Sequence, residues 1–324
     1  MYPLVCALVA TAQPSTAAAQ DLWERTLDPG SAEARVHVAA AEDYLRVAGR
    51  AVRAAQVMAE PPPPIEPLLH IALAYYHRAL TAAPDDVPTL AAAASVAERL
   101  GDHADASRWI DHALALRPDG PDATSLLFDR ALVHTREDRF DAARDDYLQE
   151  LAFPLDPSER AVVLGNLADT YVSLGDLGRA EDAYARCVAD APGYPLGWLG
   201  LAVTYDRDGR DESVESARRA LATAGGALVE SLDSPSVFFV PDYDRYYYAG
   251  VAHEAEARSL DDTEPAGALR RDLPRREALA AWHEYLRVAP ATDPWLPRVR
   301  AHVTALEAPR VSSVSHPPRG ARRP

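Results

Sequence analysis

Cysteine and lysine are the scarcest reactive residues of this 324-residue sequence. It contains two cysteines, Cys6 and Cys187, and no lysine, so that every basic side chain except histidine is arginine. If residues 1–19 are removed in the mature protein, Cys187 remains alone, and a single cysteine cannot form an internal disulfide. Cys187 falls at a position where neighbouring segments have alanine. We therefore interpret it as a small buried side chain rather than a reactive thiol.

The sequence also lacks the motifs that carry common chemistry. It has no glycine-rich phosphate loop and no Gly-x-Ser-x-Gly elbow. His253-Glu254 and His283-Glu284 begin like a zinc-protease motif, but positions 257 and 287 are alanine and arginine, not histidine. His134 occupies a position filled by tyrosine elsewhere, which favours a packed ring. We predict no catalytic residue, no metal site and no cofactor.

The sequence also has fewer basic than acidic residues. The 33 arginines stand against 49 acidic residues, and the net charge is −16. Such a surface repels nucleic acid and anionic membranes and attracts basic or neutral partners, although the same charge is also explained by solubility alone. The tail 308–324 is rich in proline and serine, has four arginines and no acid, and is predicted to be disordered.

No apolar run in the amino-terminal region is long enough to span a bilayer. Leu4 to Ala12 is short, and Ala17 to Ala19 before Gln20 fits the cleavage pattern of a secretory signal, although residues 1–20 contain no basic residue. Val5 precedes Cys6, which excludes a lipoprotein signal. We predict a signal peptide at 1–19 and a periplasmic or cell-envelope location; an uncleaved leader would leave the protein in the cytoplasm.

What the sequence does have is a repeat. Pro84 and Pro118 lie 34 residues apart and each closes a similar run of small and large apolar residues. The runs are Ala72, Tyr76, Ala79, Leu80 and Ala106, Ile110, Ala113, Leu114. Small residues recur at Ala143 and Ala180, each 37 residues after the previous one. A period of this length indicates a stack of helical hairpins.

The clearest unit identifies the family that the sequence resembles. It reads Leu164, Leu167, Ala168, Tyr171, Leu174, Gly175, Ala180, Tyr184, Cys187, Pro192. This pattern resembles the tetratricopeptide repeat, and the likeness extends over about 31–307. The resemblance implies an all-α fold, a right-handed superhelical solenoid of helix-turn-helix repeats.

Close packing of two antiparallel helices explains the pattern. Small residues let the helices approach, and aromatic residues such as Tyr184 and Trp282 fill the space between hairpins. Gly101 and Gly175 fall where the first helix of a hairpin ends. The prolines that follow each second helix stop it.

About six units account for residues 20–307. Their predicted bounds are 31–84, 85–118, 119–155, 156–192, 193–226 and 236–290, followed by a capping helix at 294–307. The first repeat contains a predicted break between its helices at Pro61 to Pro64, and the sixth repeat contains a predicted loop from about 259 to 274.

In proteins of this family the first helices line a concave surface that binds extended peptides or helices. The resemblance places seven partner-binding residues on that surface: Phe128, Leu132, Asp169, Leu199, Val203, Tyr247 and Val251. The lysines and asparagines with which the chaperone-binding branch holds a terminal carboxylate are absent there. An apolar, acid-edged groove suits an apolar or basic partner segment.

We therefore predict a non-catalytic interaction scaffold of the bacterial cell envelope, with no integral membrane segment. Two alternatives stay open: a cytoplasmic adaptor or regulatory subunit, and a self-associating protein whose arginine tail enters the groove of a second copy. The aromatic run from Phe238 to Tyr248 has two interpretations, core packing or a binding surface. Tyr247 is the first choice for a contact with the partner.

Overall fold

The computed structural model describes residues 29–58, 63–120, 122–233, 237–263 and 268–308. These residues form fourteen helices and no strand, which confirms the predicted all-α fold. The predicted signal peptide and the tail beyond residue 308 lie outside the described residues. Among the described helices, none combines the length and the apolar composition that a bilayer span requires.

The chain divides into two compact units, and the boundary between them in the sequence lies between Pro154 and Leu155. The first unit contains three helix pairs. They are α1 (Pro29–Met58) with α2 (Glu66–Ala82), α3 (Val87–Arg99) with α4 (His103–Leu116), and α5 (Ala123–Arg136) with α6 (Phe140–Glu150). Helices α1 to α5 contribute apolar residues to one buried core.

The second unit also contains three helix pairs, with two additional helices. The pairs are α7 (Pro157–Ser173) with α8 (Leu177–Asp190), α9 (Pro195–Arg207) with α10 (Glu212–Ala224), and α12 (Asp244–Thr263) with α13 (Ala268–Val288). The additional helices are α11 (Leu228–Leu232) and α14 (Leu296–Glu307). Helices α9 to α14 contribute to one core around Trp282, which is completely buried.

The helix ends follow from local chemistry. The second helices α2, α4, α8 and α13 all end two residues before a proline, as predicted. Asp156 and Glu159 form a capping box at the start of α7. Gly101 and Gly175 adopt φ values of +77° and +76° at the turn within their hairpins, a conformation that favours a residue without a Cβ.

The small residues predicted to let paired helices approach are buried. Ala94, Ala106, Ala143, Ala168 and Ala180 have no accessible surface. A larger side chain at any of them would have to displace the facing helix.

The predicted loop from about 259 to 274 is wrong. Helix α12 continues to Thr263, α13 begins at Ala268, and Pro274 lies inside α13. The prediction gave Pro274 too much weight: the proline removes one backbone hydrogen bond inside α13, and the helix nevertheless continues on both sides of it. Only residues 264–267 of the segment lie outside the described residues.

Candidate functional site

Helix α5 of the first unit presents an accessible stripe beside a buried face. Its buried residues, including Leu126, Leu127 and Val133, belong to the core of the unit. The accessible side carries Ser125, Phe128, Asp129 and Leu132, which are spaced three or four residues apart and so share one face of the helix. The predicted residues Phe128 and Leu132 are therefore half-buried neighbours on one surface.

Asp129 gives this stripe its charge. Among the described residues it makes no hydrogen bond or ion pair, although its neighbours on other faces are paired. Partial burial raises the pKa of the Asp129 carboxyl to about 6. An apolar stripe with one unpaired acid can accept a basic side chain whose stem packs on Phe128 and Leu132.

The second unit has a comparable stripe on α7. Val162, Asn166, Asp169 and Ser173 are accessible and follow helical spacing. The carboxylate of Asp169 accepts hydrogen bonds from the hydroxyl groups of Tyr184 and Tyr248, the latter at 2.8 Å. The predicted residue Asp169 is thus exposed and held in one position by two tyrosines.

The remaining four predicted residues are buried, all in the second unit. Leu199, Val203 and Tyr247 have no accessible surface, and Val251 has 7%. Tyr247 packs edge-on against Trp282, with ring centroids 5.0 Å apart, and its hydroxyl donates to Asp206 at 2.7 Å. The choice of Tyr247 as the leading surface contact is therefore corrected: in this structure its ring is part of the core and has no surface to offer a partner.

The last helix contributes to this burial together with Trp282 and Tyr285 of α13. Leu296 and Val299 of α14 belong to the same apolar cluster as Val203, Tyr247 and Val251. Arg298 and His302, also on α14, bind Asp206 of α9 with contacts of 2.6 and 2.9 Å. The face on which sequence reasoning placed an open groove is occupied by the chain itself.

A buried ion cluster fixes α14 in this place. The two ring nitrogens of His302 face Glu254 Oε1 at 2.7 Å and Asp206 Oδ2 at 2.9 Å. Burial alone would lower the pKa of His302, but hydrogen bonds to Asp206 and Glu254 and their charges raise it to about 9. Burial alone would raise the pKa of Asp206; the bonds from His302, Arg298 and Tyr247 hold it well below its ordinary value. His302 is therefore a cation at neutral pH.

The aromatic run divides between core and surface. Tyr247 and Tyr248 are buried, whereas Phe238, Phe239 and Tyr246 line an open cavity of about 700 Å³. Asp242 and Arg245 also border this cavity, so its rim has charges of both signs. The cavity offers a second apolar surface in the second unit, and with Asp233 its rim has two acids and one base.

Sequence reasoning missed Asp129, Asp206, Glu254 and His302. Asp129 could have been found, because it shares a helix face with Phe128 and Leu132. The other three carried no such signal, since their contacts join residues 48 to 96 positions apart in the chain. Among the described residues, the side chains placed to share a metal ion are His253, Glu256 and Glu277.

Comparisons with known proteins agree with the repeat. A tetratricopeptide-repeat family model matches residues 161–189. Over 93 residues the chain is 37% identical to a TPR repeat-containing protein of Synechococcus elongatus. That match covers 28% of this chain and 23% of the relative, so the chain spans about a quarter of the curated relative's length.

Solved structures extend the likeness in fold to most of the chain. The structure of Pseudomonas aeruginosa pilF is 14% identical, covers 83% of this chain and 97% of its own, and has a TM-score of 0.51. PilW, described as a type IV pilus biogenesis factor, is 15% identical over 82% of this chain and 97% of its own, with a TM-score of 0.50. A tetratricopeptide repeat protein of Parabacteroides merdae is 15% identical, covers 85% and 98%, and also scores 0.50. At these identities the likeness shows the fold.

Proposed function

We propose that this chain, a protein with tetratricopeptide repeats, is a non-catalytic scaffold that binds a segment of another polypeptide on the accessible faces of its first helices. The observation that carries the proposal is the stripe of Phe128, Asp129 and Leu132 on α5. Two half-buried apolar side chains flank a carboxylate that has no partner among the described residues. Repeat proteins with stacked helical hairpins commonly use such surfaces for binding.

The stripe favours a partner segment that is apolar and carries a basic side chain. Its apolar side chains would cover Phe128 and Leu132, and its arginine or lysine would pair with Asp129. The acidic charge of the whole chain, −16, would steer such a segment toward the surface. Asp169 on α7 offers a second accessible acid in the second unit, which differs from Asp129 because its Oδ1 already accepts hydrogen bonds from Tyr184 and Tyr248.

Because a bound cation favours the ionised carboxylate, affinity for a basic segment should depend on pH. The pKa of Asp129 lies at about 6 in the free protein. Binding should therefore strengthen as the pH rises through about 6 and level off above 7. The Asp129→Asn variant should lose this pH dependence, since its side chain does not ionise.

The leader supports export of the chain to the cell envelope. Residues 1–19 have an apolar run and a small-residue cleavage pattern. The likeness to PilW and pilF carries the fold only, so the location rests on the leader. Mass spectrometry of the mature amino terminus tests it: Gln20 as the first residue supports export, and an intact residue 1 or 2 supports a cytoplasmic adaptor.

Differential crosslinking tests the binding surface. Wild-type protein and the variants Phe128→Ser and Asp129→Asn are crosslinked to envelope fractions, and captured proteins are identified by mass spectrometry. We expect a partner that the wild type captures and both variants lose by about tenfold. Leu148→Ser is the matched control, because Leu148 is an exposed apolar residue of the same unit on a second helix. Equal capture by all four proteins would contradict the proposal.

Self-association is the competing outcome for the same surface. A synthetic peptide of residues 309–324 supplies the basic tail as a probe. Tight binding of this peptide to the wild type, lost in Asp129→Asn, would assign the surface to a second copy of the chain. Light scattering of protein truncated after Glu307 then measures whether assembly depends on the tail.

A further inference from the structure

Three side chains of the last helix pair converge on one point. His253 and Glu256 lie on α12, and Glu277 lies on α13. The Nδ1 atom of His253 is 3.1 Å from Glu256 Oε2 and 3.5 Å from Glu277 Oε2. All three ligand atoms lie within 4.8 Å of one another.

The arrangement follows from helix geometry and hairpin packing. His253 and Glu256 are three residues apart, which places both on one face of α12. Helix α13 packs against α12, and Glu277 enters from that side. Helical bundles build metal sites from a Glu-x-x-His pair on one helix and a glutamate from a facing helix, and here the pair has the reverse order, His253 before Glu256.

We propose that His253, Glu256 and Glu277 bind a divalent transition-metal ion, with zinc as the best match. Zinc bonds to nitrogen and carboxylate oxygen are about 2.0–2.1 Å long, so tetrahedral ligands lie about 3.3 Å apart. The two distances from Nδ1 fall on either side of that value. A water molecule would complete the coordination.

A metal ion accounts for this geometry better than an ion pair. A proton on Nδ1 would have to be shared between two carboxylate oxygens at 3.1 and 3.5 Å, whereas a metal ion bonds to the nitrogen and both oxygens together. The imidazole ligand favours zinc over magnesium and calcium, which prefer oxygen. The nearby Glu254 is not available as a ligand, because Trp282, Arg258 and His302 already bind its carboxylate.

The site gives a different role to His253, one residue of a motif that the sequence excluded. His253-Glu254 resembles the start of a zinc-protease motif, and the absence of a second histidine excluded that motif. The structure supplies different partners, Glu256 one turn onward and Glu277 from the next helix. Bound metal would tie α12 to α13 and stabilise the last helix pair.

Metal titration of the full chain tests the proposal. Untagged protein is stripped with a chelator, and zinc, manganese, magnesium and calcium are added separately while binding is measured by calorimetry and the Tm by thermal unfolding. We expect one zinc ion per chain and a Tm that rises with zinc concentration, with weaker binding of manganese and none of magnesium or calcium. Cobalt as a probe should give the visible absorption of a low-coordinate site.

Two variants and one control make the result specific. His253→Gln and Glu277→Gln should each weaken zinc binding by at least about tenfold, while their metal-free Tm stays close to that of the wild type. His283→Gln is the control, because His283 is an exposed histidine of the same hairpin that faces a single carboxylate, Glu307, at 3.8 Å. Equal zinc affinity in the wild type and all three variants, or no zinc binding by the wild type, would overturn the proposal.

Discussion

The same position of the repeat has opposite environments in α5 and α7 on one side and in α9 and α12 on the other. Leu132 of α5 and Asp169 of α7 are accessible, whereas Val203 of α9 and Val251 of α12 are buried in the core to which the last helix contributes. The repeat pattern treats these positions as equivalent. The difference teaches that a groove residue can be assigned from the repeat only where no later segment of the chain packs on it.

The acidic side chains Asp129 and Asp206 also differ, in whether they have hydrogen-bond partners. Asp129 of the first unit is unpaired among the described residues, whereas Asp206 of the second accepts hydrogen bonds from Tyr247, Arg298 and His302. An unpaired acid is available to a partner. A buried acid with three donors stabilises the fold and has no capacity left for binding.

Replacing one aromatic residue in each unit should give the largest difference in stability between the two units. Tyr247→Ala should lower the free energy of unfolding by about 3–5 kcal/mol, because it removes a buried ring and a donor to Asp206. Phe128→Ala should cost less, about 1 kcal/mol, since Phe128 is only partly buried. Denaturant unfolding measures both. A loss below about 1 kcal/mol for Tyr247→Ala would return that residue to the surface.

His302→Gln should have a somewhat smaller effect that depends on pH. The pKa of His302 is raised to about 9 in the fold, against about 6.5 when unfolded. Its stabilisation is therefore fully present below pH 6.5 and is lost as the pH rises through about 9. We expect the variant to be less stable by about 2–3 kcal/mol at pH 6, with the difference shrinking toward pH 9.5.

The control for this measurement is His112→Gln. His112 is exposed and faces the exposed Asp85 at 2.9 Å, so the substitution should change stability by less than about 0.5 kcal/mol. A constant difference between wild type and His302→Gln from pH 6 to 9.5 would show that His302 is neutral in the fold.

Two helical glycines of the second unit test how tightly neighbouring helices pack, because each substitution adds a single methyl group. A Cβ at Gly200 would lie 2.1 Å from Cζ of Tyr184, whereas a Cβ at Gly165 would find its nearest neighbour, Cys187 Sγ, at 3.8 Å. Gly200→Ala should cost about 1–3 kcal/mol through overpacking. Gly165→Ala should be neutral or stabilise by up to about 1 kcal/mol, because alanine favours the helix. Thermal unfolding of the two variants measures the contrast, and equal Tm values would show that Tyr184 moves away freely.

The helix pairs could be predicted because their signals are local. Pro84, Pro118 and Pro192 mark the ends of second helices, and Gly101 and Gly175 mark the turns. The loop predicted around Pro274 failed for the same reason, since one local signal was preferred to the helical residues around it. Of the candidate site, Phe128, Leu132 and Asp169 are accessible as expected, and their role in binding stays a prediction.

The sequence by itself determined the all-α repeat, because each hairpin is specified by small residues, turn glycines and terminal prolines within about 35 residues. Only the tertiary structure decided which first-helix faces remain accessible, because α14 joins the apolar cluster of Val203, Tyr247 and Val251 and binds Asp206 and Glu254. Those contacts join residues far apart in sequence. No local period can encode them, since they depend on where the chain returns after the last hairpin.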